Sequence, residues 1–256
     1  MKRIVVKVGS NVLTTSTGKL DITRMSAIVD QIAWLRHHGY DVILVSSGAV
    51  ACGKKELRVE HELDSVEQRQ LYSAMGQVKL VNLYYDLFRE YNMHIGQVLT
   101  MKENFEHEEQ YKNLRACMEV MLENNVIPVV NENDTVCVTE LMFTDNDELS
   151  GLAAKMMGAE TLVILSNIDG VYTGDPADPT SQVIRKVGIN EDISSYIKTS
   201  KSSAGRGGMV SKYHTARSLS QSGIRVIIAN GKRENILINL IQQPDTTIHT
   251  EFSPAD

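Results

Sequence analysis

The sequence predicts an α/β fold, a three-layer αβα sandwich with a mainly parallel central sheet. Two observations predict it. Short runs rich in Val and Ile, bounded by Gly, Asn or Asp, alternate with amphipathic stretches almost from end to end. That strand-then-helix rhythm builds a parallel sheet covered by helices on both faces. Most of the runs are also continuously rich in Val and Ile rather than alternating, as strands buried on two sides are. They fall at residues 3–8, 41–46, 94–100, 126–131, 161–166 and 225–230.

The helices follow from 3.6-residue periodicity. Between residues 21 and 38, Ile22, Met25, Ile28, Ile32 and Leu35 share one face, with Asp21 as N-cap and Gly39 as the stop. Similar stripes run through 65–91, 110–124, 147–158 and 209–223, and the Met, Leu and Tyr residues of 71–91 read as core. Residues 168–181 hold Gly170, Gly174, Pro176 and Pro179 and read as a loop. Residues 198–208, rich in Ser, Gly and Lys, read as a mobile loop. With no internal repeat, residues 1–256 read as a single domain. Its ligand cleft is expected at the carboxyl ends of the strands, where open sheets of this kind bind.

Composition narrows the function. With 42% hydrophobic and 23% charged residues the chain can bury a substantial core. A net charge of −6 without a long basic run excludes nucleic acid as principal partner. The adjacent pair Lys54-Lys55 reads as a solvated loop. Cys52, Cys117 and Cys137 show neither disulfide nor metal spacing, and the seven histidines are scattered, so no metal ligand is assigned. The first apolar run is too short for a signal peptide and no stretch is long enough to span a membrane, so a cytoplasmic enzyme is expected.

Two motif matches fail. Residues 48–55, G-A-V-A-C-G-K-K, approach a phosphate-binding P-loop but lack its final Ser or Thr. Residues 205–210 lack the third glycine of a dinucleotide fingerprint.

Six segments carry chemistry. Lys7-Val8-Gly9-Ser10 ends the first strand and aims an ammonium and backbone amides at an anion, although a charged residue at a strand end reads the same way alone. Ser46-Ser47-Gly48 precedes a helix, where Ser47 serves either an anion site or simply the N-cap. Asn131-Glu132-Asn133-Asp134 crowds the end of an apolar strand, and Asp134 suits a substrate ammonium. Asp145-Asn146-Asp147 opens a helix; its acids complement the helix dipole, and Asp147 is also placed to hold two lysines. Ser166-Asn167 ends a strand before the turn at Asp169-Gly170. Finally, a Gly-rich loop meets a helix carrying Lys212, an arrangement suited to phosphate. Phosphoryl transfer needs such positioning and charge stabilisation more than covalent help. No histidine base is required where the acceptor is a carboxylate, already ionised with a reference pKa of about 4.3 for Glu.

In this order the motifs resemble the amino acid kinase superfamily, and within it the glutamate 5-kinase family, over nearly the whole chain. The most specific piece is Val130-Asn131-Glu132-Asn133-Asp134 followed by Asp145-Asn146-Asp147. The resemblance implies the amino acid kinase fold, an N-terminal part mainly for substrate and a C-terminal part mainly for nucleotide. It implies ATP-dependent phosphorylation of the L-glutamate γ-carboxylate, the first step of proline biosynthesis. Lys7, Asp147 and Lys212 would be catalytic. Ser47, Asp134 and Asn146 would bind glutamate. Lys7, Gly9, Ser10, Ser166, Asn167, Arg206, Gly207, Gly208, Met209, Val210, Ser211 and Lys212 would bind ATP. Mg2+ would be held largely by phosphates and water. A homo-oligomer, dimer or tetramer, and inhibition by proline are also family expectations. The chain departs from the pattern at Ser166-Asn167, where Thr-Asp is usual, and at Arg206, where a small Thr is common. At 256 residues it is also too short for the C-terminal PUA domain of many members. Sister kinases acting on uridylate, aspartate or acetylglutamate, and a non-catalytic sensor on the same fold, are the alternatives. A sensor is expected to lack Lys7, Asp147 or Lys212, and all three are present.

Overall fold

A computed structural model describes residues 2–57, 59–137, 143, 145–197 and 208–254. Among the described residues eight strands form one sheet: β1 (Lys2–Val8), β2 (Tyr40–Ser46), β3 (His94–Thr100), β4 (Val126–Glu132), β5 (Thr161–Ser166), β6 (Lys186–Val187), β7 (Arg225–Asn230) and β8 (Thr250–Phe252). Their order is β3-β4-β2-β1-β5-β7-β8-β6, and the pairs are parallel except β7 with β8. All six expected strands are present. The short β6 and β8, two and three residues long, give no periodic signal and were not expected.

Alternation along the central strand decides what lies on each face. Ile4, Val6 and Val8 of β1 join Leu44, Ile127 and Val129 in one core, while Val5 joins Ile43, Val130, Leu162 and Ile164 in the other. The first core is covered by α1 (Ser10–Leu13), α2 (Ile22–His37), α4 (Ser65–Arg89) and α9 (Ile236–Gln242). The second is covered by α6 (Glu108–Glu123), α7 (Asn146–Met156) and α8 (Met209–Gln221), with the single-turn α5 (Glu103–Glu106) beside α6. The remaining helix, α3 (Ala49–Glu56), packs on α4. Asp21 caps α2 by accepting from the Arg24 amide, and Gly39 follows with φ +81°.

The contact between α3 and α4 is unusually close. A Cβ on Gly53 would lie 1.8 Å from the Tyr72 carbonyl oxygen, and one on Gly76 would lie 1.8 Å from that of Ala49. These two glycines let the backbones touch and seat the start of α4 beside the strand ends. The near P-loop sequence is therefore a helix whose second glycine serves packing. Lys54 and Lys55, expected on a loop, lie in the last turn of α3, where they complement the helix dipole.

Candidate active site

The carboxyl ends of β1, β2, β4 and β5 open into a cleft of about 1260 Å³. Because Lys7 has the same parity as Val5 on β1, its side chain leaves the sheet on the α7 face. There it meets Asp147, which is completely buried, at 2.6 Å from Nζ to Oδ1. Lys212, in the first turn of α8, meets Oδ2 of the same carboxylate at 2.8 Å. Burial alone pushes the Asp147 carboxyl up, but the two ammonium groups outweigh it and hold it below its ordinary value. Both lysines line the cleft, while Asp147 lies beneath them. The cluster carries one net positive charge.

Asp145 caps α7, accepting from the amides of Asp147 and Glu148 through Oδ1. Burial, and then the neighbouring Asp147, push its carboxyl up. Next along, Asn146 donates through Nδ2 to the Ser47 hydroxyl at 2.8 Å and to Asn131 Oδ1 at 2.9 Å. Asn131 in turn donates to Gln77 of α4 at 3.0 Å. This chain of bonds ties β2, β4, α4 and α7 together on one side of the lysines. Ser47 is not a helix cap: Gly48, at φ +111°, holds that position without a side-chain bond, leaving the Ser47 hydroxyl to Asn146.

Asp134 lines the same side of the cleft, held by Arg69 of α4 together with Glu132. Ser166 and Asn167 line the opposite side with Gly208 and Met209. Gly9 and Ser10 lie between; the Gly9 amide donates to the Leu165 carbonyl, and a Cβ there would stand 3.4 Å from Lys7 Nζ. Val210 and Ser211 belong to the first turn of α8 but do not line the cleft. Arg206 and Gly207 lie outside the described residues, as do 198–205 of the expected mobile loop. Asp169 does not line the cleft; Arg233, Asn230 and Tyr172 bind it, and Arg233 foremost holds its carboxyl below the ordinary value.

Sequence reasoning missed the α4 contribution. Arg69, Ser73 and Gln77 stand four residues apart on the stripe that buries Tyr72, Gly76 and Leu80. Polar residues recurring on a buried stripe were the available signal, since such groups need partners inside.

An αβα sandwich with a lysine–aspartate–lysine cluster at its strand ends defines a class, and residues 2–230 match the amino acid kinase family, to which the chain belongs. Within it, the chain is 61% identical to the glutamate 5-kinase of Bacteroides thetaiotaomicron, over 99% of this chain and 70% of that one. It is 45% identical to the glutamate 5-kinase of Chlorobaculum tepidum, over 92% of this chain and 65% of that one. Carbamate kinase from Giardia lamblia bound to AMP-PNP shares the fold, with a TM-score of 0.70 at 15% identity and 99% coverage of both chains. Among the described residues no helix is long and apolar enough to cross a membrane.

Proposed function

We propose that this chain transfers the γ-phosphoryl group of ATP to the γ-carboxylate of L-glutamate, forming γ-glutamyl phosphate for proline biosynthesis. The observation that carries the reading is the buried Lys7–Asp147–Lys212 cluster facing the cleft. The names of the relatives at 61% and 45% identity support the choice of substrate.

On this reading a γ-carboxylate oxygen attacks the γ-phosphorus in line, and the bond to the bridging oxygen of ADP breaks. The nucleophile is already charged, so no side chain removes a proton. Lys7 and Lys212 neutralise the charge spread over the transferring group, and Asp147 fixes both ammonium groups before the reaction begins. Ser47 and Asn146 orient the acceptor, Asp134 receives its ammonium, and the Ser166, Asn167 and Gly208 side takes the nucleotide. Among the described residues no cluster of three or more His, Cys, Asp and Glu could hold a metal by itself. Asp145 is buried and lines the cleft at the start of α7, which fits one carboxylate ligand to a Mg2+ ion otherwise held by phosphates and water. Bound there, the ion would neutralise phosphate charge.

Incubation with Mg-ATP and L-glutamate, with hydroxylamine to trap the acyl phosphate, tests the reading. Hydroxamate that depends on glutamate and is absent with aspartate or acetylglutamate is expected. Phosphate transfer to uridylate without any hydroxamate would overturn it.

A further inference from the structure

Arg69 reaches from the first turn and a half of α4 into the negative end of the cleft. Its Nε lies 2.7 Å from Asp134 Oδ1, its Nη2 contacts the same oxygen, and Nη2 lies 2.6 Å from Glu132 Oε2. Both carboxylates are buried. Glu132 is fixed independently, because its Oε1 accepts from the Phe143 amide at 2.9 Å. These bonds employ Nε and Nη2 of the guanidinium and only one oxygen of Asp134. Arg69 Nη1 and Asp134 Oδ2 make no hydrogen bond among the described residues, and both side chains line the cleft.

An α-amino acid presents an ammonium and a carboxylate on one carbon. A guanidinium and a carboxylate locked side by side, each with an unused edge, complement that pair of charges. Arg suits the task because its rigid fork offers five N–H donors and can hold Asp134 while receiving a second anion. Without such a cation the α-carboxylate of a bound substrate would stand beside two buried acids, a costly arrangement. We propose that Arg69 is the specificity-determining residue that binds the substrate α-carboxylate, with Asp134 binding the α-ammonium. This rests on the glutamate reading of the cleft.

The test compares L-glutamate with 4-aminobutyrate, which keeps the ammonium and the reacting carboxylate but lacks the α-carboxylate. Kinetics, or competitive inhibition where an analogue binds without reacting, are measured for the wild type, Arg69→Gln and Arg69→Lys. Loss of a charge-assisted bond corresponds to about 10–100-fold. Arg69→Gln is expected to raise KM for glutamate by that factor with kcat largely kept, while the constant for 4-aminobutyrate changes by less than about threefold. Arg69→Lys, which keeps the charge without the fork, is expected to fall between. Equal losses for the two ligands would mean that Arg69 only braces α4 against β4, and would overturn the assignment, as would unchanged constants. If Arg69→Gln does not fold, the ratio of the two ligands in Arg69→Lys decides alone, and an unchanged ratio overturns the assignment. With a wild type active on glutamate, a failure here leaves the proposed function standing; a wild type inactive on it would sink both.

Discussion

Two charged triads of opposite make-up contribute to the same cleft. In one, a single carboxylate, Asp147, lies between two ammonium groups; in the other, a single guanidinium, Arg69, lies between two carboxylates. The first carries one net positive charge and the second one net negative charge. Their environments differ as well. Asp147 is sealed beneath its lysines and joins β1 to α7 and α8, whereas Arg69 remains partly exposed and joins α4 to the end of β4. Asp147 is committed to its two lysines, whereas Arg69 holds its two carboxylates through Nε and Nη2 alone. A positive end suits a triphosphate and a negative end suits an ammonium.

Breaking the positive triad at its centre has the largest expected effect. Asp147→Asn leaves two buried lysines without their shared counter-charge, a loss of about 3–5 kcal/mol for a broken buried pair. It should appear as a lower urea midpoint, with hydroxamate formation reduced at least about 1000-fold because both cations lose their orientation. Removing one outer group is milder. Lys212→Met is expected to lower kcat by about 100–1000-fold, as loss of a transition-state donor does. The KM for glutamate should stay near that of the wild type, since the negative triad is untouched. A Lys212→Met enzyme with undiminished kcat would remove that lysine from the chemistry.

A third change tests the seat of the negative triad. Gly76→Ala forces α3 from α4 and should cost about 1–3 kcal/mol, as overpacking does. By displacing α4 it should raise KM for glutamate more than KM for ATP; equal changes would show that α4 does not serve the substrate end. The smallest effect concerns acid stability. The Asp147 carboxyl is held below its ordinary value of 3.8, so its contribution is fully present above that value and is lost as pH falls through the lower folded value. Thermal midpoints below about pH 4 should therefore fall more steeply in the wild type than in Asp147→Asn. Parallel slopes would contradict this account of the burial.

The positive triad was legible residue by residue, and the negative one only in part. Lys7, Asp147 and Lys212 stand at a strand end and two helix starts, places that local patterning locates well. Asp134 was found by the same logic. Arg69 was not, because it lies within a long amphipathic helix whose Met, Leu and Tyr stripe reads as core. Ser47 shows the converse. Sequence left helix capping and ligand binding as equals, and the 2.8 Å bond from Asn146, 99 residues away, together with the left-handed Gly48, removed capping.

The sequence by itself determined the six long strands, the principal helices between them and the loops where chemistry gathers. Those follow from short-range periodicity, in which each residue's neighbours along the chain carry the signal. Strand order, the antiparallel β8, the Gly53–Gly76 contact and the meeting of Lys7 with Asp147 across 140 residues were decided only by the tertiary structure. Each depends on which faces pack together, and a pattern of apolar residues says that a face is buried without saying against what.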